Sequence, residues 1–149
     1  TYVFPNDLVV LEIDGASLKQ ALEKNAEYFT IDNGKIVANP KYSFPKREHY
    51  NYDMFDGIEY TIDVSRPIGS RIISLRRDGM EIRSDAKFTL AMNNYRATGG
   101  GEFTMYRNLL VIREFPTDIA SLLIEYIKKH KTIVCEETDN IKVIMSERK

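Results

Sequence analysis

A chain of 149 residues, 43% hydrophobic and 29% charged, has the length and composition of one globular domain able to bury a sizeable core. A formal net charge of −1 leaves no electrostatic footprint for a nucleic-acid polymer, and no apolar run reaches the roughly 18 residues that a membrane span requires. The lone cysteine, Cys135, excludes an internal disulfide and argues against a cysteine-based metal cluster.

The chain opens at Thr1 with neither a signal peptide nor an initiator methionine, and is expected to be a piece of a longer protein. "LVVLEI", Leu8 to Ile13, reads as a buried strand ended by a turn at Asp14–Gly15. From Ala16 to Phe29, the residues Leu18, Ala21, Leu22, Ala26 and Phe29 recur at helical spacing, which predicts an amphipathic helix broken by Asn33–Gly34. Residues 35–56 show no period and carry Pro40 and Pro45, so a long irregular connection is expected. Ile58 to Val64 alternates as a half-buried strand, and "RIISLRRDGMEI" places Asp78–Gly79 between two strand-like arms, a hairpin signal. "KFTLAMN", Lys87 to Asn93, is a further strand. Asp118 to His130 predicts a helix with Thr117 as N-cap and Lys128, Lys129 and His130 complementing its dipole, and "IKVIM" predicts a last strand. Strands and helices mix without strict βαβ alternation, so the class is α+β.

Little of this carries catalytic chemistry. His49 and His130 stand in no metal-ligand spacing; the first reads as a loop histidine and the second as a helix-end cation. Cys135 has no histidine near it in sequence and reads as an ordinary thiol. Two stretches suggest binding instead. "NNYRATGGGEF", residues 93–103, ends a strand with two amides, Asn93 and Asn94, then Tyr95, then three glycines. It fits no phosphate-loop pattern. Its glycines would let a flat ligand approach the backbone, and Tyr95 could stack on a base; taken alone, the residues read rather as a glycine-rich turn with Tyr95 in the core. "YVFPND" would fix Phe4 rigidly and let Asn6 present a donor and an acceptor, although a hydrophobic anchor before an Asx turn accounts for the same residues. Tyr50, Tyr52 and Phe55 in "HYNYDMFDG" read as loop packing.

Taken together and in order, "FPNDLVVLEIDGASLKQALE", "YNYDMFDGIEYTIDVSRP", "NNYRATGGGEF" and "TDIASLLIEYIKKH" resemble the C-terminal domain of the 5′-nucleotidase family, nearest its 2′,3′-cyclic-nucleotide 2′-phosphodiesterase branch. The resemblance implies a mixed sheet with packed helices, the N-terminal part of that domain missing, and residues 1–149 as one domain fragment. It implies a division of labour. A separate metallophosphoesterase domain, absent from this chain, holds two divalent metal ions and the catalytic residues, while the C-terminal domain clamps a nucleoside between two aromatic rings. No cofactor, metal ligand or catalytic residue is then expected in this chain, which alone should be inactive.

Residue by residue, the resemblance implies Phe4 and Tyr95 as the two stacking rings, Asn6 as a hydrogen-bond partner of the base, and Asn94, Gly99 and Gly100 as the rest of the substrate-binding set. The 5′-nucleotidase branch reads "GGDGF" where this chain has "GGGEF", so Gly101 stands in place of an aspartate and favours the cyclic-nucleotide branch. Arg47, Arg66 and Arg96 do not match the family's substrate-binding arginines, which fall upstream. A 5′-nucleotidase or nucleotide-sugar hydrolase is the alternative enzyme, and a non-catalytic nucleoside-binding or surface-interaction module is the alternative of another class. The expected partners are a nucleotide or nucleoside and the parent's metallophosphoesterase domain. An extracytoplasmic parent, periplasmic, wall-associated or secreted, is implied by the family and is not readable from this chain.

Overall fold

A computed structural model describes residues 6–134 and 138–147. Phe4 and Cys135, singled out above, lie outside the described residues. The chain divides into two compact units, one built from residues 1–14 and 87–137, the other from residues 15–86 and 138–149.

The first unit is a three-stranded antiparallel sheet. Its central strand β1, Asp7–Asp14, alternates as expected of a half-buried strand, with Val9, Leu11 and Ile13 buried on one face. The β-branched Val9 and Ile13 favour that pleated, packed surface.

Lys87–Asn93, named β7 in chain order, pairs along the whole of β1, from Leu8 opposite Asn93 to Asp14 opposite Lys87. The opposite edge is β8, Val111–Asp118, whose register against β1 shifts twice. Pro116 in β8 cannot donate to a ladder, which confines such a strand to a sheet edge or a bulge. The 12-residue helix α3, Ile119–His130, follows directly. Its cap is Asp118, not the expected Thr117: the Asp118 carboxylate accepts the Ser121 amide at 3.0 Å and the Ser121 hydroxyl at 2.6 Å. These Ser121 bonds hold the Asp118 carboxyl below the usual aspartate range. No described residue of α3 is fully buried, and Leu123, Ile124, Tyr126 and Ile127 are exposed.

The second unit begins with α1, Gly15–Ala26, so β1 runs straight into a helix where a turn was expected at Asp14–Gly15. Leu18, Ala21, Leu22 and Ala26 form the buried stripe. Phe29 does not belong to it. It opens β2, Phe29–Asp32, which pairs with β3, Lys35–Ala38. Asn33–Gly34 is therefore a two-residue hairpin turn with φ of 47° and 72°, the left-handed pair that matches strand twist. The irregular connection consequently starts after Ala38 rather than at residue 35.

That connection is tied down by side chains. Asn25 of α1 donates to the Asp53 carbonyl at 2.6 Å and accepts the Asp53 amide at 2.8 Å. Tyr28 and Tyr52 stack with centroids 4.7 Å apart, and the Tyr28 hydroxyl meets His49 Nδ1 at 2.8 Å. Tyr52 and Phe55 are thus loop packing, as expected; Tyr50 is exposed. A four-stranded mixed sheet completes the unit in the order β6, β5, β4, β9. These are Met80–Glu81, Ile72–Arg77, Glu59–Asp63 and Ile141–Ile144, the last two parallel. The expected hairpin at Asp78–Gly79 joins β5 to β6. Glu23 accepts the Arg71 and Ile72 amides on its two oxygens at 2.8 and 2.9 Å, tying α1 to the start of β5. Asp63, at the end of β4, accepts Ser65 and the Ser146 amide just after β9. The class is α+β, with mixed sheets and a few helices, as the sequence implied.

Candidate functional site

β7 ends at Asn93, and Asn94–Ala97 form a single helical turn, α2. Asn93 is extended, and its Oδ1 accepts the Arg96 amide at 2.7 Å, an N-cap that satisfies an otherwise orphaned donor. Asn94 Oδ1 accepts the Tyr95 amide at 2.9 Å, and the Tyr95 carbonyl accepts the Thr98 hydroxyl at 3.0 Å. Both side-chain carbonyls of the asparagine pair are therefore committed to the turn that carries Tyr95. The Asn93 side chain sets the turn and Asn94 braces it.

The glycines have a local task. Gly99 and Gly101 take φ of 87° and 66°, which L side chains rarely adopt. Gly100 faces Tyr95: a Cβ there would fall 2.5 Å from the Tyr95 carbonyl oxygen and 2.6 Å from Cζ of its ring. The close approach that Gly100 permits is that of Tyr95's own ring. Tyr95, its ring backed by Gly100, is 45% exposed as a residue.

Behind the turn is a side chain set aside at the outset. Arg96 is only 5% exposed. Its Nη1 donates to the Gly100 carbonyl at 2.6 Å, and its guanidinium carbon lies 4.2 Å from the centroid of the Phe103 ring and 5.7 Å from that of Tyr95. Phe103 in turn stacks on Tyr106 with centroids 5.8 Å apart and planes 4° from parallel. The Arg107 side chain lies against Gly99. Arg96 and Phe103 stand inside the quoted motif, and the signal that could have found them is an arginine placed beside an aromatic in a loop too short to solvate it.

Asn6 sits at the same end of the sheet. The register that sets Leu8 opposite Asn93 brings Asn6 to the end of the β1–β7 pair that carries Tyr95, and its carbonyl accepts the Ile119 amide at 2.9 Å. Asn6, Asn94, Tyr95, Gly99 and Gly100 are thus gathered in one unit. Elsewhere, Arg66 pairs with Asp63 at 3.5 Å, and His130 lies against Tyr126 in the last turn of α3. Among the described residues no three His, Cys, Asp or Glu side chains come together as a metal site. No described helix is long and apolar enough to cross a membrane.

The family profile described as 5′-nucleotidase, C-terminal domain, matches residues 1–108. The chain belongs to this family. Among curated relatives of this 5′-nucleotidase-type C-terminal chain, two are named 2′,3′-cyclic-nucleotide 2′-phosphodiesterase/3′-nucleotidase. The protein from Yersinia enterocolitica is 31% identical over 93% of this chain and 24% of its own length. The one from Salmonella typhimurium is 35% identical over 66% of this chain and 17% of its own. A Staphylococcus aureus structure, named provisionally as a 5′-nucleotidase and solved with alpha-ketoglutarate, superposes with a TM-score of 0.90. It is 36% identical and covers 96% of this chain and 28% of that one. The chain spans 10% to 24% of the length of the curated relatives it matches.

Proposed function

We propose that this chain is a fragment of a single C-terminal domain that binds the nucleobase and sets substrate specificity in a bifunctional 2′,3′-cyclic-nucleotide 2′-phosphodiesterase/3′-nucleotidase. The observation that carries the reading is Tyr95. In a chain of this family, its ring is held on Gly100 at a strand end with 45% of the residue open to solvent. An aromatic face presented from a braced turn binds any base, because every base has a π-face. Phe4 is the second ring, Asn6 reads the base edge, and Asn94, Gly99 and Gly100 hold the Tyr95 side of the site. The two divalent metal ions and the hydrolytic residues belong to a separate metallophosphoesterase domain of the parent, which works outside the cytoplasm. This chain supplies binding and orientation, and no turnover of its own.

The test is Tyr95→Ala in the full-length parent. Loss of one stacking ring, worth about 1–3 kcal/mol, should lower kcat/KM by roughly 5- to 150-fold for purine and pyrimidine substrates alike. Tyr95→Phe should be mild because the ring face is kept. Asn6→Ala should change selectivity among bases, since a lost amide bond is felt only where the base edge offered a partner. A folded Tyr95→Ala enzyme with normal kinetics removes Tyr95 from the site. A second reading, a 5′-nucleotidase, is favoured by the Staphylococcus aureus structure, whereas Gly101 in place of an aspartate favours the first. A higher kcat/KM for 5′-AMP than for 2′,3′-cyclic AMP would decide for the second.

A further inference from the structure

We infer that Arg96 is a positioning residue: it sets the plane and height of the Tyr95 ring without touching the nucleotide. The inference rests on the stacking role proposed for Tyr95 and adds the group that makes it rigid. Tyr95 has few restraints of its own. Its backbone is held by Asn94 and Thr98, but its ring rests on a residue without a side chain, in a segment where both flanking glycines take left-handed φ. Glycines in such positions lose more conformational freedom on ordering than any other residue. Something must hold Gly100 where the ring can lean on it.

Arg96 does so through the contacts of its planar group with Gly100 and Phe103. Its Nη1 fixes the Gly100 carbonyl at 2.6 Å, a charge-assisted bond to an acceptor on the very residue that backs the ring. Its guanidinium lies on Phe103, itself 1% exposed and stacked on Tyr106. The guanidinium is thereby an anchored plate: the aromatic pair fixes its position and the carbonyl fixes its direction. Because Arg96 is itself buried, a base lying on the exposed part of Tyr95 need not meet it. Its effect on the ligand passes through Gly100 and Tyr95. A lysine could keep the charge and one donor. It could not keep the flat contact with Phe103 while pointing at the carbonyl.

The test is a double-mutant cycle in the full-length parent, reading the dissociation constant for adenosine by calorimetry, KM and kcat for 2′,3′-cyclic AMP, and the melting temperature. Alone, Arg96→Lys should raise the adenosine dissociation constant and KM about tenfold and leave kcat within about twofold, the mark of lost ground-state binding. Added to Tyr95→Ala, the same substitution should cost nothing further, since a residue acting through a ring has no effect once the ring is gone. Arg96→Met, which loses both contacts, should be worse than Arg96→Lys; if it fails to fold, the lysine variant carries the comparison. An Arg96→Lys penalty equal in both backgrounds overturns the inference, because Arg96 then acts independently of Tyr95. So does a folded Arg96→Lys enzyme with normal binding. Normal adenosine binding by Tyr95→Ala would instead overturn the stacking reading itself, and the inference with it.

Discussion

A methyl group added at Gly100 would disturb the proposed base-stacking site through Tyr95. A Cβ at this position collides with the Tyr95 backbone at 2.5 Å and with its ring at 2.6 Å, and the first of these cannot be relieved by turning a side chain. Gly100→Ala should therefore push the ring off its seat, raising the dissociation constant for adenosine in the parent by about as much as Tyr95→Ala does, while the overpacking costs about 1–3 kcal/mol of stability. Calorimetry beside a melting curve checks both. Retained adenosine affinity would mean that the ring's seat does not matter for binding. A bare backbone in sequence says that something comes close; the fold shows the Tyr95 ring against Gly100 and the Arg107 side chain against Gly99.

At the scale of elements, Asp63 ties the end of β4 to the backbone just after β9. The Ser65 hydroxyl and the Ser146 amide bond its carboxylate, and Arg66 lies nearby at 3.5 Å. The serine contacts outweigh the opposing effect of burial and hold its carboxyl well below the usual aspartate range. The folded protein therefore binds this proton less readily than the unfolded chain, whose aspartates titrate near 3.9. The resulting stability is fully present above that value and is lost as pH falls through the depressed folded value. Asp63→Asn should flatten the acid side of the pH–stability curve below about pH 4, measured by thermal melting. An unchanged acid limb would remove Asp63 as its source.

The sequence was legible wherever one period persisted. The residues of α1 repeat at helical spacing because one stripe is buried, and β7 was found to the residue. It was illegible where a local signal served two purposes. An Asn–Gly pair can end a helix or turn a hairpin, and only the pairing of β2 with β3 shows that Asn33–Gly34 does the second. β8 was missed because Pro116 reads as a breaker, and a bulged edge strand tolerates it. Asp118 capped α3 in place of Thr117 because either side chain can cap, and α3 begins at Ile119, which leaves Asp118 as the residue before it.

At the scale of the whole chain, each unit is assembled from two separated stretches. β9 matters most to the second: Tyr60 to Asp63 pair with Ile141 to Ile144, and Asn140 Nδ2 donates to the Phe55 and Ile58 carbonyls at 2.8 and 2.9 Å. Truncation after Glu137 strips β4 of that ladder and of the Ser146 bond to Asp63. Hydrogen exchange should then show protection in β4 and β5 falling well before that in β1 and β7. Equal loss in both sheets would mean that the two melt as one.

The parallel pairing of β4 with β9 also sets a clock. Ile141 follows its partner Tyr60 by roughly 80 positions, so at about 5–20 residues per second the ribosome delivers it some 4 to 16 seconds later. Throughout that interval the nascent chain carries β4 with one edge unmet, and an unmet edge is a template for any strand that arrives first. Slower translation lengthens the wait. The yield of correctly folded protein should thus depend on the speed at which the codons between β4 and β9 are read.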